Sequence, residues 1–290
     1  MERITVKTFF HDGSNTYSHL VTDNATKQSA IIDPVLDYDA ASGVISTESA
    51  DGIIEYIQQQ DLKLQWILET HVHADHLSAA SYVRGLLDAK IVTGAEVTVV
   101  QSVFKGIFGL EGEFVADGSQ FDLLLADNQS ISLGELSIRA MHTPGHTPSC
   151  VTYVVDESVA FVGDTIFMPD MGTARCDFPG GDAALLYASI QRILDLPEKT
   201  ELYMCHDYGP NGRECFYKTT VGEQRRSNIH VHQGSAESDF IAMRKERDST
   251  LAMPALILPA VQINIRGGRL PDKGNNGISY LKIPLNVFKQ

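Results

Sequence analysis

The sequence predicts an α/β fold: two mixed sheets flanked by helices. Short apolar or alternating runs come in two groups, and each group is followed by segments with helical spacing. No repeat of 20–50 residues points to a solenoid instead. A dense polar cluster, His71-Val72-His73-Ala74-Asp75-His76, stands where an apolar strand gives way to a helical pattern.

The elements follow in chain order. Residues 4–10, 17–21 and 29–32 read as an antiparallel meander, separated by the turn signals Asp12-Gly13-Ser14-Asn15 and Asp23-Asn24. Residues 53–59 read as a helix capped by Ser49 or Asp51. Residues 64–68, with Trp66 and Ile67, read as a buried strand, so His71 and His73 would share a face of the extended chain. Leu77, Ala80, Val83, Leu86 and Leu87 then set a helix, with Asp75 at its start, where a carboxylate suits the exposed N–H groups. Ile91-Val92 is a short strand, and the Gly-rich stretch 94–120 fits no single pattern. Strands are expected at 129–133, 136–141, 151–155 and 159–162. A helix is expected at 182–194, with Leu185, Leu186, Ile190, Ile193 and Leu194 apolar, and then a short apolar run at 202–205. After His232 the character changes: a charged helix at 238–251 precedes a Pro- and Gly-punctuated tail with strand-like runs at 260–265 and 280–283. The chain thus divides into a catalytic-type domain, 1–232, and a C-terminal extension, 233–290, packed on the same domain.

Composition narrows the function. The chain has 290 residues, 43% hydrophobic, enough for a large core. A net charge of −14 disfavours nucleic acid as a partner. No apolar run of 18 residues suggests a membrane span, and the first residues lack the apolar core of a signal peptide. Cys150, Cys176, Cys205 and Cys215 form no C-x-x-C pair and read as reduced thiols, so a cytoplasmic protein is expected. A homodimer is the default assembly.

Three imidazoles and a carboxylate within six residues point to a metal site. Three further ligand types emerge from apolar strands: His146 in Thr143-Pro144-Gly145-His146, Asp164 after Phe161-Val162-Gly163, and His206 after Tyr203-Met204-Cys205. His142 reads as a loop hydrogen-bonding residue, and His230 and His232 lack a completing ligand set.

In this order, H-x-H-x-D-H followed by a separate His, Asp and His, the chain resembles the metallo-β-lactamase superfamily over roughly residues 1–230. The resemblance implies an αβ/βα sandwich with metal at one edge of the two sheets. It implies one site of His71, His73 and His146, and a second of Asp75, His76 and His206, with Asp164 bridging. Two chemistries then compete. One is glyoxalase II-like hydrolysis of glutathione thioesters such as S-lactoylglutathione, with two zinc or mixed metals activating a hydroxide. The other is persulfide dioxygenase chemistry at a single Fe(II). The stretch Arg175-Cys176-Asp177-Phe178 and the triplet His206-Asp207-Tyr208 resemble persulfide dioxygenases, although Thr173 stands where that pattern has a cysteine. The whole chain looks most like the bacterial β-lactamase-like hydrolase branch, some members of which carry an added sulfurtransferase domain. This resemblance implies oxidation of glutathione persulfide, or a related low-molecular-weight persulfide, by O2 to sulfite and glutathione. Iron would be held by His71, His146 and Asp164, with His73, Asp75, His76 and His206 behind them or in a second metal site. Arg175, Asp177 and Tyr208 are the candidate catalytic residues: Arg175 for a substrate carboxylate or sulfur oxyanion, or in a salt bridge with Asp177, and Tyr208 as a hydrogen-bond donor. Cys176 is either a small buried hydrophobe or a thiol of lowered pKa. Arg225 and Arg226 reach an anionic tripeptide or lie on a solvated helix face, the latter for at least one of them. A non-catalytic metal-binding role is the third reading. A nuclease is disfavoured by the charge, and a secreted β-lactamase by the N-terminus.

Overall fold

A computed structural model describes residues 3–288. Two six-stranded sheets form its centre. The first has the order β1-β2-β3-β6-β8-β9: β1 (Ile4–His11), β2 (Thr16–Asp23), β3 (Gln28–Ile32), β6 (Lys63–Leu68), β8 (Lys90–Gly94) and β9 (Leu123–Leu125). The expected meander β1-β2-β3 is antiparallel, and β3, β6, β8 and β9 then run parallel. The second sheet has the order β10-β11-β12-β13-β14-β15: β10 (Ser130–Leu133), β11 (Leu136–His142), β12 (Val151–Val155), β13 (Val159–Phe161), β14 (Glu201–Tyr203) and β15 (Lys218–Thr220). Its pairs are antiparallel except β13 with β14. A small third sheet joins β4 (Val35–Asp39), β5 (Val44–Ser46) and β7 (Leu77–Ser78).

Alternation along the strands builds three apolar layers. On β12, Val151, Tyr153 and Val155 face the space between the sheets, while Val154 faces outward. On β6, Leu68 faces inward and Ile67 outward. The outward face of the first sheet packs against α1 (Glu48–Gln59), α2 (Ala80–Leu87), α3 (Val97–Ile107) and α7 (Ile257–Asn264). That of the second packs against α4 (Ala183–Leu194), α5 (Val221–Ser227) and α6 (Glu237–Asp248). This is the predicted sandwich of two sheets between helical layers.

Several local expectations change. α1 begins at Glu48 after Thr47, with no side-chain cap. Asp51 instead accepts from the hydroxyls of Thr47 and Tyr82, and Ser49 bonds Asp37. Asp75 does not open a helix, because β7 intervenes and α2 starts at Ala80. The Gly-rich stretch contains α3. Residues 260–265 belong to helix α7 and its end rather than to a strand; their uniform burial hides the helical period. Residues 280–283 form no strand. Lys282 pairs its backbone N–H and C=O with the side chain of Gln262, which takes the place of a strand partner.

Candidate metal centre

The site lies at one edge of the two sheets, where several strand ends meet. Asp33 follows β3, Glu69 to His76 follow β6, His146 follows β11, Asp164 follows β13, and His206 follows β14. The parallel pairings of β3 with β6 and of β13 with β14 bring those ends to the same side. Gly145, just before His146, has φ +138°, and a Cβ there would come within 2.3 Å of the Leu186 backbone in α4. Only glycine lets the His146 loop pass so close to that helix.

All seven predicted ligand residues converge. The rings of His71 and His73 are 4.0 Å apart, those of His71 and His146 5.1 Å, and those of His73 and His76 4.1 Å. His206 Nε2 is 3.2 Å from Asp75 Oδ2 and 3.4 Å from Asp164 Oδ1, and His146 Nε2 is 3.8 Å from Asp164 Oδ2. The far ring nitrogens are tied down. His71 Nδ1 meets Thr70 Oγ1 at 3.0 Å, His146 Nδ1 donates to Arg175 O at 2.7 Å, and His206 Nδ1 donates to Asn15 O at 3.0 Å. Each ring is thereby locked with its Nε2 turned inward.

Donor atoms within 4.8 Å of one another fall into four groups: His71, His146 and Asp164; His73, Asp75 and His76; Asp164, Cys205 and His206; and Asp33, Glu69 and His73. Two ligands each about 2.1 Å from one ion stand up to about 4.2 Å apart, so these groups need only slight closure to hold a metal. Seven buried atoms here lack a hydrogen-bond partner among the described residues: Nε2 of His71, both ring nitrogens of His73, Nε2 of His76 and of His206, Oδ2 of Asp75 and Oδ1 of Asp164. His73 Nε2 lies within ion-pair distance of Asp33, and His206 Nε2 of Asp75 Oδ2 and Asp164 Oδ1; Nε2 of His71, Nδ1 of His73 and Nε2 of His76 have neither kind of partner, and each such orphan costs about 1–3 kcal/mol. Metal coordination would satisfy them, so the residues fit a metal of imidazole and carboxylate preference.

The electrostatics agree. Burial, with the neighbouring histidines, holds His71 well below the usual histidine range and His76 at about 3, so both present lone pairs. Burial works against the charged forms of Asp75 and His206. It is outweighed for Asp75 by His206 and His76, which bring the carboxylate to about 2, and for His206 by Asp164 and Asp75, which raise the imidazole.

Sequence reasoning missed the wall behind the histidines. Asp33 accepts from Thr70 N at 2.7 Å and Thr70 Oγ1 at 2.8 Å, and its Oδ1 lies 3.0 Å from His73 Nε2. Glu69 Oε2 is 3.6 Å from the same nitrogen, while its Oε1 accepts from Ser78 Oγ at 2.6 Å. Both acids are buried. The available signal was an acid closing an apolar strand, Ile31-Ile32-Asp33-Pro34, and another immediately before the histidine cluster.

A cleft of about 380 Å3 opens onto the centre between Asp75, His146, Asp164, Phe167, Tyr208 and Arg247. A larger groove, about 640 Å3, opens at the far edge around Arg3, Lys199 and Lys218; no donor group lies there among the described residues. Tyr208 is half exposed and stacks its ring on His206 at 5.9 Å. Arg175 also lines the cleft, but its fork is engaged: Nε and Nη2 donate to Asp177 at 2.5 and 2.6 Å, and Nη1 donates to Ala252 O at 2.7 Å. Arg244 is buried against Asp248. Cys176 bonds Asp248, and its thiol is pushed up to about 12 by burial and then by Asp248, so it is a buried thiol and not an activated one. Thr173 bonds His230. His142 makes the expected hydrogen bond, Nε2 to Pro148 O at 2.8 Å, but from the last position of β11 rather than from a loop. Arg225 donates to Leu194 O and Arg226 to Glu223, both away from the cleft lining.

Residues 11–206 match the Metallo-beta-lactamase superfamily. Among similar curated proteins, a probable metallo-hydrolase of Burkholderia pseudomallei (strain 1710b) is 54% identical, covering 98% of this chain and 100% of that one. Glyoxylase B2 of Dictyostelium discoideum is 50% identical, over 96% of this chain and 95% of that one. The human mitochondrial persulfide dioxygenase ETHE1 is 32% identical, over 91% of this chain and 89% of that one. Among solved structures, ETHE1 from Myxococcus xanthus superposes with a TM-score of 0.73 at 29% identity, covering 91% of this chain and 100% of that one. Sandwich, ligand order and sequence agree: this chain belongs to the metallo-beta-lactamase superfamily.

Proposed function

We propose that this protein is an iron-dependent persulfide dioxygenase acting on glutathione persulfide or a related small persulfide. The observation that carries the reading is the group His71, His146 and Asp164, two imidazoles and one carboxylate within 4.8 Å of one another beside an open cleft. That donor set suits non-haem Fe(II) with positions left for substrates. Similarity to persulfide dioxygenases over nine-tenths of the chain supports it. Bound Fe(II) would supply the redox step, bringing the persulfide sulfur and O2 together. In the overall reaction RSSH, O2 and water give RSH and sulfurous acid; the outer sulfur loses four electrons to O2, and the S–S bond breaks.

The chain's own residues set the geometry. His206 Nε2 holds Asp75 and Asp164 in place from one side. Asp33 fixes the His73 ring from behind. Phe167 lines the cleft and packs on His206, which keeps water from that face. Arg247 is an exposed cation on the cleft lining whose side chain makes no hydrogen bond or ion pair with the described residues. With Arg175 engaged by Asp177, Arg247 is the better partner for a substrate carboxylate. Tyr208 offers a second hydrogen bond. Residues 233–288 then act as a wall of the same domain, since Phe240 enters one outer core and Ile257, Val261 and Ile263 the other.

A second reading, dinuclear hydrolysis of a glutathione thioester, is favoured by the additional group His73, Asp75 and His76 and by the names of the more similar relatives. One paired assay separates the two. The protein is purified without oxygen, its metals are measured, and glutathione persulfide and S-lactoylglutathione are offered in turn. Equimolar O2 uptake and sulfite release with about one iron per chain is expected. Thioester cleavage with two metals and no O2 uptake overturns the proposal. So does silence toward both substrates with metal in place, which would assign a binding role.

A further inference from the structure

The C-terminal extension reaches the metal-binding loop through one side chain. Asn264, at the end of α7, is 4% exposed. Its Nδ2 donates to His73 O and to His76 O, each at 2.8 Å, and its Oδ1 accepts from Ser78 N at 2.8 Å. Two carbonyls and one N–H leave a single amide orientation that satisfies all three partners. These contacts span 186 to 191 residues of sequence.

A second observation marks the same junction. Gly268 has φ +78°, and a Cβ there would stand 2.7 Å from Ser78 O, 3.1 Å from Ser81 N and 3.2 Å from Ala80 N. The chain leaving α7 is therefore pressed against the backbone that leaves the histidine cluster. Gly268 N also donates to Ile263 O, which closes the helix in that position.

We propose that Asn264 is a positioning residue for the metal centre: it clamps the backbone of the loop so that His73, Asp75 and His76 are aimed before metal arrives. A backbone carbonyl fixed in direction fixes its peptide plane, and so restricts how the Cα atoms of its own residue and of the next can turn. Both clamped carbonyls belong to histidines of the cluster, and Asp75 lies between them. The buried amide is the partner both carbonyls have in place of a helix or sheet ladder. The proposal rests on metal binding by this cluster and not on which reaction the metal supports.

The matched control is Gln262, two residues earlier on α7. It is equally buried and also makes three hydrogen bonds, to Leu258 O, Lys282 O and Lys282 N, and none of these is in the metal loop. The full-length protein is stripped of metal and titrated with Co(II), whose visible absorption reports ligand geometry. Asn264→Ala should weaken Co(II) binding about 10- to 100-fold, the usual cost of losing an outer-shell partner, and change the visible bands. Asn264→Asp keeps the size and the acceptor for Ser78 N but turns an oxygen toward two carbonyls. It should move affinity the same way, and it carries the test where the alanine variant does not fold. Gln262→Ala should lower the melting temperature while leaving Co(II) affinity and spectrum as in the parent. Parent-like Co(II) binding by the Asn264 variants overturns the proposal, and so does an equal loss in Gln262→Ala. Absence of O2 uptake in the parent would remove the dioxygenase reading and leave this result intact.

Discussion

The back and the front of the metal centre are built on different terms. At the back, Asp33, Glu69, Thr70 and His73 are buried and bonded mostly to one another. At the front, Tyr208 is half exposed, the Arg175–Asp177 pair is partly exposed, and Arg247 stands free of partners among the described residues. A charge removed at the back leaves another buried and unpaired, which is costly; one removed at the front is replaced by water. Under the proposed function, the back governs whether metal is held, and the front governs what is brought to it.

The largest effect expected from this contrast is at Asp33. Asp33→Ala takes away both the Thr70 anchor and the carboxylate behind His73, and should weaken metal binding about 10- to 100-fold. Metal content after dialysis against a chelator checks it. A variant that retains metal as the parent does would erase the distinction between the two walls.

Arg247→Ala is the reciprocal change. Losing one charge-assisted hydrogen bond, about 1.5–3 kcal/mol, should raise KM for an anionic substrate about tenfold or more. Metal content and kcat should stay put, and Arg247→Lys should recover part of the loss. Steady-state kinetics with metal analysis on the same samples reads this out. A fall in kcat with loss of metal would place Arg247 with the back wall instead.

The smallest effect is on stability against pH in the metal-free protein, where the two walls should fail at opposite ends. Burial disfavours charge on His73, but Asp33 and Glu69 outweigh it and raise the imidazole to about 9. Stabilisation from that charge is complete below about pH 6.5, the unfolded value, and is lost as pH rises through about 9. Glu69, pushed up to about 8 by burial and then by Asp33, adds an earlier loss, which begins as pH rises above about 4.5, its unfolded value, and is complete by about 8. At the front, burial opposes charge on Asp177, yet Arg175 holds the carboxyl below its usual range. That contribution is present above about pH 3.9 and disappears as pH falls below it. Asp33→Asn should flatten the alkaline limb of melting temperature against pH, and Asp177→Asn the acid limb. Exchange of these two outcomes would refute the assignment.

What the sequence revealed follows the same division. The seven candidate ligand residues were legible because four crowd into one six-residue motif after an apolar run and the other three each follow an apolar run of their own, and local spacing is enough to see that. The two sheets were legible from period-two patterns. α7 was not: Ala260, Val261, Ile263 and Ile265 are all buried, and a helix covered on every side carries no amphipathic period. Arg247 and Asn264 were not legible as site residues either, since their roles arise from contacts that no local pattern encodes; Asp33 carried the strand-end signal but stood far from the histidine motif in sequence. Arg175 shows the converse. Its charge and neighbourhood suggested a substrate partner or a salt bridge with Asp177, and it is Asp177, two residues on, that occupies its fork.

The Asn264 clamp also orders events in time. A ribosome adds about 5–20 residues per second, so about ten seconds or more separate the synthesis of Ser78 from that of its partner Asn264. The six-residue histidine segment is thus made well before its brace: the carbonyls of His73 and His76, and the N–H of Ser78 just beyond, gain these hydrogen bonds only once Asn264 has been made. A nascent chain that stops short of Asn264 displays the candidate ligands without the brace, and one that includes it displays both.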